Sequence, residues 1–478
     1  MNFLLLLDAV PNFHPFLVQL GRALESRGHT ACYVMETPLG NHRYREHAAV
    51  GRVRVFSEFL AARPAEADPE QAARVGSWAA FFADFDRYEQ YGVNRGRRQD
   101  WYMRLACGLS DFFLGCLRDW QIDAVIYEGN TNSFAWYANQ AAQQTGAVFL
   151  GLAGSRLPGR HELHGDSEDL MRQRVKGCYE GLAQGRLRQT EEQEQWVAGY
   201  LAAFDSAKPD YMASSGLLLE NPVSKYARKQ HLRTFWRLAT YSLGGSTEAR
   251  VSYRSGLPLP YSLIHVRRNT ARFFKALRVC RYFTPPVPGD RFFLYPLHFH
   301  PEASTSVNAR WYVDEYTTIK NLAFSLPFGT WLYVKDHPAA VGFPALDFYR
   351  KLAGFPNVKL IDPGADTKQL IRDSLGVITL TSTMGYEALV LCKPVWVLGE
   401  VFYDFHPGCA KIGWNDALPE LLAHPPQQTV TAADARRLVT AYLMATQPGA
   451  LPLGSERAAS ASFEQLAAEI EAQVSQPD

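Results

Sequence analysis

Candidate chemistry begins at LYVKDHP, Leu332 to Pro338, where an apolar run ends on a cation, a carboxylate and an imidazole before a proline halts regular structure. At the carboxyl end of a buried strand, Lys335 as a point charge and His337 as a hydrogen-bond donor could meet a phosphate, with Pro338 fixing the turn. A surface turn in which Lys335 pairs with Asp336 would use the same residues without a ligand. A second stretch, VITLTSTMGYEAL, runs a strand into Thr381, Ser382 and Thr383 and turns at Gly385 into a helix that carries Glu387. Hydroxyls and free backbone N–H groups at a helix N-terminus favour an anion, because the peptide dipoles align there. An ordinary N-cap by Ser382 or Thr383 is the plainer reading. Glu387 could instead hold a ribose by paired hydroxyl bonds.

A third stretch, YPLHFHPEASTSV, carries His298 and His300 two apart, then Pro301, Glu302 and the hydroxyls Ser304 to Ser306. Two histidines two apart on one strand face could begin a metal site, but no third ligand follows at the usual spacing. No metal is therefore expected, and His300 and Glu302 are read as contacts to a base or sugar. In the first half of the chain, DAVIYEGN ends a strand on Glu128, followed by Gly129 and Asn130. A carboxylate there is a candidate general base or nucleophile. A helix N-cap network around Glu128 and Asn130 competes with that reading. Asp8, after the first apolar run, is the reserve carboxylate.

These residues need rigid sheets to bring them together. At 478 residues the chain exceeds what one core usually serves, and 47% hydrophobic and 13% aromatic residues provide the apolar surface for two. The opening FLLLL, a helix from about Phe16 to Arg27 ended by Gly28, and TACYVM read as a βαβ unit. DAVIY, the helix TNSFAWYANQAAQQTG and AVFLGLAG continue it, with Val50 to Leu117 mostly helical between them. Residues 161–285 lose the alternation and read as a helical insertion of the first domain, closed by the linker TPPVPGD. RFFLYPL, WLYVKDHP, NVKLIDP, GVITLTST and PVWVLGE then supply a second parallel sheet. The expected fold is α/β of the GT-B kind: two Rossmann-like domains facing a central cleft, with a helical insertion in the first. The first domain spans 1–285, the nucleotide-sugar-binding domain 286–430, and the helices of 431–478 pack back on the first. Ligands of such sheets bind at the carboxyl edges.

Composition excludes some classes. The formal charge of +1, 49 Lys+Arg against 48 Asp+Glu, offers no global field for nucleic acid. Seven scattered cysteines without a C-x-x-C pair suit a reducing compartment, hence the cytoplasm. The apolar run Phe3 to Leu7 is too short for a signal peptide or a membrane span.

The motifs from Phe292 to Asp404, taken in order as LYPLHFHPEASTSV, LYVKDHP, LIDP and STMGYEALVLCKPVWVLGEVFYD, resemble the bacterial capsular polysaccharide biosynthesis and export family, which includes Kdo transferases using CMP-Kdo. KDHP and the Ser/Thr turn also look like the His-Pro and Ser/Thr motifs of GT-B sialyltransferases, which bind the CMP phosphate and neighbouring groups. The resemblance implies Lys335, His337, Ser382 and Thr383 as donor ligands, and places Glu128 and Gly129 where those enzymes keep an acidic residue and glycine. It implies a transferase that moves Kdo or a related ulosonic acid from a CMP-linked donor to a glycan or lipid-linked acceptor. No cofactor beyond the donor is expected, because the CMP phosphate needs charge neutralisation that fixed donors can supply. Arg267, Arg268, Arg272 and Lys275 could meet an anionic acceptor at the inner membrane face, or form a solvated helix face. A non-catalytic export or scaffold protein, and a UDP-sugar-dependent transferase or epimerase of the same fold, are the other readings. Oligomeric state has no signature in the residues.

Overall fold

The computed structural model describes residues 1–7, 12–64, 66, 68–91, 96–165, 170–207, 221–243, 248–413, 416, 418–423, 430–453 and 461–475. Asp8 lies outside them. The leucine run forms β1 (Asn2–Leu7), which pairs in parallel with β2 (Thr30–Met35) on one side and β4 (Ala124–Tyr127) on the other. A strand covered on both faces must be apolar throughout, and Phe3 to Leu7 are all buried. The helix Phe13–Ser26 returns the chain between β1 and β2, and Gly28 takes the left-handed φ of 86° that ends such a crossover. β3 (Arg52–Val55) extends the sheet beyond β2, β5 (Val148–Gly154) lies parallel to β4, and β6 (Arg160–His164) pairs antiparallel to β5.

The second sheet is wholly parallel among its described strands. It contains β7 (Phe292–Pro296), β8 (Trp331–Lys335), β9 (Val358–Ile361), β10 (Gly376–Thr379), β11 (Val395–Val397) and β12 (Cys409–Lys411), in the order β12-β11-β10-β7-β8-β9. Counted within its own half, that is the doubly wound order 3-2-1-4-5-6, whose topological switch falls between β7 and β10. The first sheet switches likewise between β1 and β4. β13 (Gln447–Pro448) then crosses back to pair with β6, and the helix Phe463–Ser475 packs on Phe13–Ser26, with Phe463 against Phe16 and Glu471 paired to Arg27. The two Rossmann-like sheets make the fold GT-B.

The helical region divides between the halves in a way that differs from an insertion confined to the first domain. Helices Leu170–Ala183 and Glu191–Ala202 bury Val175, Tyr179, Val197 and Tyr200 in one core with Leu389, Val395, Leu438 and Tyr442, on a face of the second sheet. Their surfaces are Gln- and Glu-rich, but an apolar stripe at helical spacing has to be covered, and helix Ala432–Ala445 covers it. Tyr253 is buried in the first core.

Candidate functional site

The second sheet's carboxyl edge collects the three motifs. His298, just beyond β7, is buried and bridges the switch point: Nδ1 pairs with Glu315 at 3.0 Å, and Nε2 accepts the Thr381 backbone N–H at 3.3 Å. These bonds set the tautomer, with the proton on Nδ1, and lock the end of β7 to the end of β10. Ser382 is the N-cap of helix Thr383–Val390, its Oγ accepting the Met384 N–H at 3.2 Å, while Thr379 Oγ1 accepts the Ser382 N–H at 2.9 Å. Gly385 lies in the first turn with no room for a side chain, since a Cβ would stand 2.2 Å from the Tyr403 hydroxyl oxygen. Tyr403 in turn donates to the Ser382 carbonyl at 2.6 Å. The plain capping reading of Ser382 holds, and the same cap aims the helix N-terminus at the cleft edge.

At the end of β8 the KDHP residues separate. Lys335 is 2% exposed, and its Nζ donates to the Pro363 carbonyl at 2.7 Å. Burial lowers its pKa, against the pull of Asp336, Asp362 and Glu387. In place of a direct phosphate contact, Lys335 thus lends a charge from beneath the edge. Asp336, expected to pair with Lys335 in the plain reading, accepts instead from the His337 N–H at 2.7 Å and from Tyr349 Oη at 3.0 Å. Burial pushes its carboxyl up to about 7. His337 is held neutral, its pKa pushed down to about 4 by burial and by the nearby His298 and Lys335. Its Nδ1 accepts the Ala339 N–H at 3.1 Å, which leaves the ring proton on Nε2. His337 is therefore a neutral hydrogen-bond donor, as the phosphate reading requires, and not a cation. Glu387, partly buried one turn along its helix, is pushed up to about 6 by burial, with Lys368 and Lys335 pulling the other way.

The loop after Pro338 is supported from behind. Arg272 donates to the Val341 carbonyl at 2.9 Å and to the Pro338 carbonyl at 3.2 Å, and Lys275 donates to Phe343 and Pro344 at 2.7 and 3.1 Å. Arg268 stacks on Tyr91 at 4.0 Å. So Arg272 and Lys275 belong neither to a solvated face nor to an acceptor contact: they fasten the His337 loop to helix Pro258–Val279.

The first half meets this edge through two elements. Asp86, buried on helix Phe82–Tyr91, accepts from His300 Nε2 at 2.9 Å and from the Ser306 hydroxyl. His300, expected to touch base or sugar, is thus committed through Nε2 to the opposite domain and through Nδ1 to Thr305 Oγ1 at 2.9 Å. A D-x-D pair, whose absence was expected along with that of a metal, is in fact present as Asp84-Phe85-Asp86. Asp84 is buried and accepts the Ser133 N–H at 3.2 Å, and among the described residues no group of three or more His, Cys, Asp or Glu is placed to hold a metal.

Glu128 follows β4 at the first sheet's switch point, exposed, with Thr131 Oγ1 donating to its Oε1 at 2.8 Å. Gly129 has a φ of 142°, which a side chain would strain. Asn130 lines a cavity of about 250 Å³ between the halves, together with Trp136, Asn308 and Trp311. Glu302 precedes the short helix Ala303–Ser306 as its N-cap. Its carboxyl is pushed up to about 7, chiefly because surrounding protein displaces water, with the Glu128 carboxylate adding to the rise and Ser304, Arg87 and His300 opposing it. Glu302 is nonetheless open to solvent.

The ordered motifs at this edge lie in or beside a recognisable segment. Residues 314–444 match the family described as capsule polysaccharide biosynthesis protein. Over that segment the chain is similar to that family. It is 27% identical over 145 residues to the capsule polysaccharide modification protein LipB of Neisseria meningitidis, 28% of this chain and 33% of that protein. To Protein FixF of Sinorhizobium fredii it is 30% identical over 131 residues, 26% of this chain and 30% of that one. The chain thus spans about a third of the length of these curated relatives. Among solved structures, the beta Kdo 2,4 transferase of Thermosulfurimonas dismutans KpsC aligns with a TM-score of 0.37 at 16% identity, over 67% of this chain and 79% of that one.

Proposed function

We propose that this chain is a metal-independent glycosyltransferase of capsule or surface polysaccharide assembly, moving Kdo or a related ulosonic acid from a CMP-activated donor to a glycan or glycolipid acceptor. The observation that carries the reading is the gathering, at one carboxyl edge of the second sheet, of the His337 ring donor, the Ser382-capped helix N-terminus and the buried Lys335. The family match over 314–444 supports the capsule setting. In the reaction, the acceptor hydroxyl oxygen bonds to the anomeric carbon of the donor as the bond from that carbon to the CMP phosphate oxygen breaks. The hydroxyl proton passes to the Glu128 carboxylate, and CMP leaves as an anion. His337 Nε2–H donates to the phosphate, the N-terminus of helix Thr383–Val390 with Ser382 and Thr383 faces it, and Lys335 adds its charge from below. Glu302 and Glu387 are assigned to the sugar and ribose hydroxyls.

The test is release of CMP or UDP from CMP-Kdo, CMP-sialic acid and UDP-N-acetylglucosamine by purified protein, with a matched panel of glycan acceptors. CMP release from CMP-Kdo is expected, reduced about 10²- to 10³-fold by His337→Ala and about 10²- to 10⁴-fold by Glu128→Gln with donor binding retained. Unimpaired turnover in His337→Ala removes the phosphate role, and preference for the UDP sugar overturns the donor class.

A further inference from the structure

The chain's overall charge balance hides a segregation. Between Asn221 and Gly289 there are thirteen Lys and Arg residues and a single acidic one, Glu248, although the whole chain sums to +1. The two long helices of this region, Lys229–Leu243 and Pro258–Val279, carry no acidic residue at all and pack against each other. Each turns one face inward: Leu238 and Tyr241 are buried on the first, and Ala276 and Val279 on the second, where Arg272 and Lys275 fasten the His337 loop.

The outward faces are not polar. On helix Lys229–Leu243, Leu232, Trp236 and Leu243 fall within about 40° of one another on a helical projection. Trp236 is 68% exposed and Leu243 81%. Lys229 and Arg233, both exposed, flank them on the same side. Helix Pro258–Val279 repeats the pattern at helical spacing, with Leu263, Arg267, Phe274 and Arg278 all exposed and Phe274 at 54%. A helix face that only contacts water has no physical reason to present Trp, Phe and Leu among cations. That mixture suits the boundary between lipid headgroups and acyl chains, where the rings and leucines enter the apolar edge and the cations meet phosphates. No helix is long and apolar enough to cross a membrane, so the contact would lie on the surface of the bilayer.

We propose that helices Lys229–Leu243 and Pro258–Val279 form a docking surface for an anionic lipid bilayer. The occupant follows from charge: the exposed Lys229, Arg233, Arg267 and Arg278, on two helices without a carboxylate, call for a negatively charged partner, and the exposed Trp236, Phe274 and leucines call for one with an apolar layer beneath its charge. Because the inner face of helix Pro258–Val279 holds the His337 loop, docking would set the cleft close to the membrane. The surface stands without the donor assignment proposed above, and its failure leaves that assignment untouched.

Flotation of the full chain with vesicles tests this, using phosphatidylcholine alone and phosphatidylcholine with 30 mol% phosphatidylglycerol, at ~0.1 and ~0.5 M NaCl. Binding is expected to the anionic vesicles at low salt, with loss at high salt and none to phosphatidylcholine. Arg233→Gln with Arg267→Gln is expected to weaken partitioning about twenty-five-fold, since each basic residue near an anionic surface contributes about fivefold. Leu232→Ser with Trp236→Ser changes only exposed side chains, and is expected to abolish flotation with an unchanged unfolding temperature and unchanged donor turnover in solution. The proposal is overturned if the wild type ignores both vesicles or if either double variant floats like the wild type. It is also overturned if soluble dextran sulfate binds where vesicles do not, which assigns an anionic glycan, or if the protein self-associates through these residues without lipid, which assigns a second copy.

Discussion

Replacing Asp336 by asparagine should change how stability depends on pH, and by an amount the structure sets. The carboxyl is 1% exposed, and burial raises its pKa from 3.8 to about 7, with Glu315 adding to the rise and Lys335 opposing it. A folded pKa above the unfolded one means that the folded chain keeps a proton the unfolded chain has lost. Its contribution to stability is complete below about pH 4 and disappears as pH rises through 7. Between pH 5 and pH 7 the wild type should lose about 1.4 kcal/mol per pH unit from this group, so about 2.7 kcal/mol by pH 8. The side-chain amide of the Asp336→Asn variant does not titrate. It can keep one of the two acceptor bonds, to the His337 N–H or to Tyr349, and the loss of the other costs about 1 kcal/mol at both pH values. Urea unfolding of both proteins at pH 5 and pH 8 isolates the effect, because every other titrating group cancels in the double difference. The variant should gain about 2 to 3 kcal/mol on the wild type between the two conditions. An identical difference at pH 5 and pH 8 would show Asp336 ionised throughout, and the account of a buried neutral acid beneath the His337 loop would be wrong.

Asp86→Ala leaves His300 Nε2 and the Ser306 hydroxyl without their partner from the first half. Thermal unfolding should register a loss of about 1 to 3 kcal/mol, and donor KM should rise as the halves lose their fixed approach. A donor KM unchanged in this variant would contradict the bridging role. Arg272→Met with Lys275→Met releases the carbonyls of Pro338, Val341, Phe343 and Pro344. Faster amide exchange confined to residues 338–344, and at least tenfold slower donor turnover, are the expected results; exchange at wild-type rates would mean that the loop holds itself.

What could be read directly from the residues follows burial. β1, β4 and β7 to β11 are largely apolar runs, interrupted only by Lys359 in β9 and by polar residues at the ends of β1, β8 and β10, and each was legible. β3 (RVRV), β6 (RHELH) and β12 (CAK) escaped: one lies at an edge, one is antiparallel and half polar, and one has three residues with partial exposure. The helices Leu170–Ala183 and Glu191–Ala202 were legible as helices but not as part of the second core, since a stripe of Val and Tyr says that a face is covered without saying by what. At the site, the strand ends and the helix N-terminus were legible as a common edge. The partners were not: Asp86 lies 214 residues from His300, and no local pattern reports a pairing that only tertiary structure creates. Lys335 was misjudged for a related reason, because its type allowed a phosphate contact while its burial directs the ammonium to a backbone carbonyl.

The choice of a polar clamp between the halves bears on turnover. An apolar contact of the same size would be expelled from water and would hold the cleft in one state. Asp86, His300 and Ser306 can exchange their mutual bonds for bonds to water, so the net free energy of separating them is far smaller than the gross strength of the bonds. The clamp also sits on residues that flank Pro301 and Glu302. The transferase proposed above would have to admit a donor and release a nucleotide, yet keep water away while the glycosyl bond is broken. A contact strong enough to hold the halves together and weak enough to open would satisfy both demands, and the cost falls on a side chain outside the residues assigned to the donor.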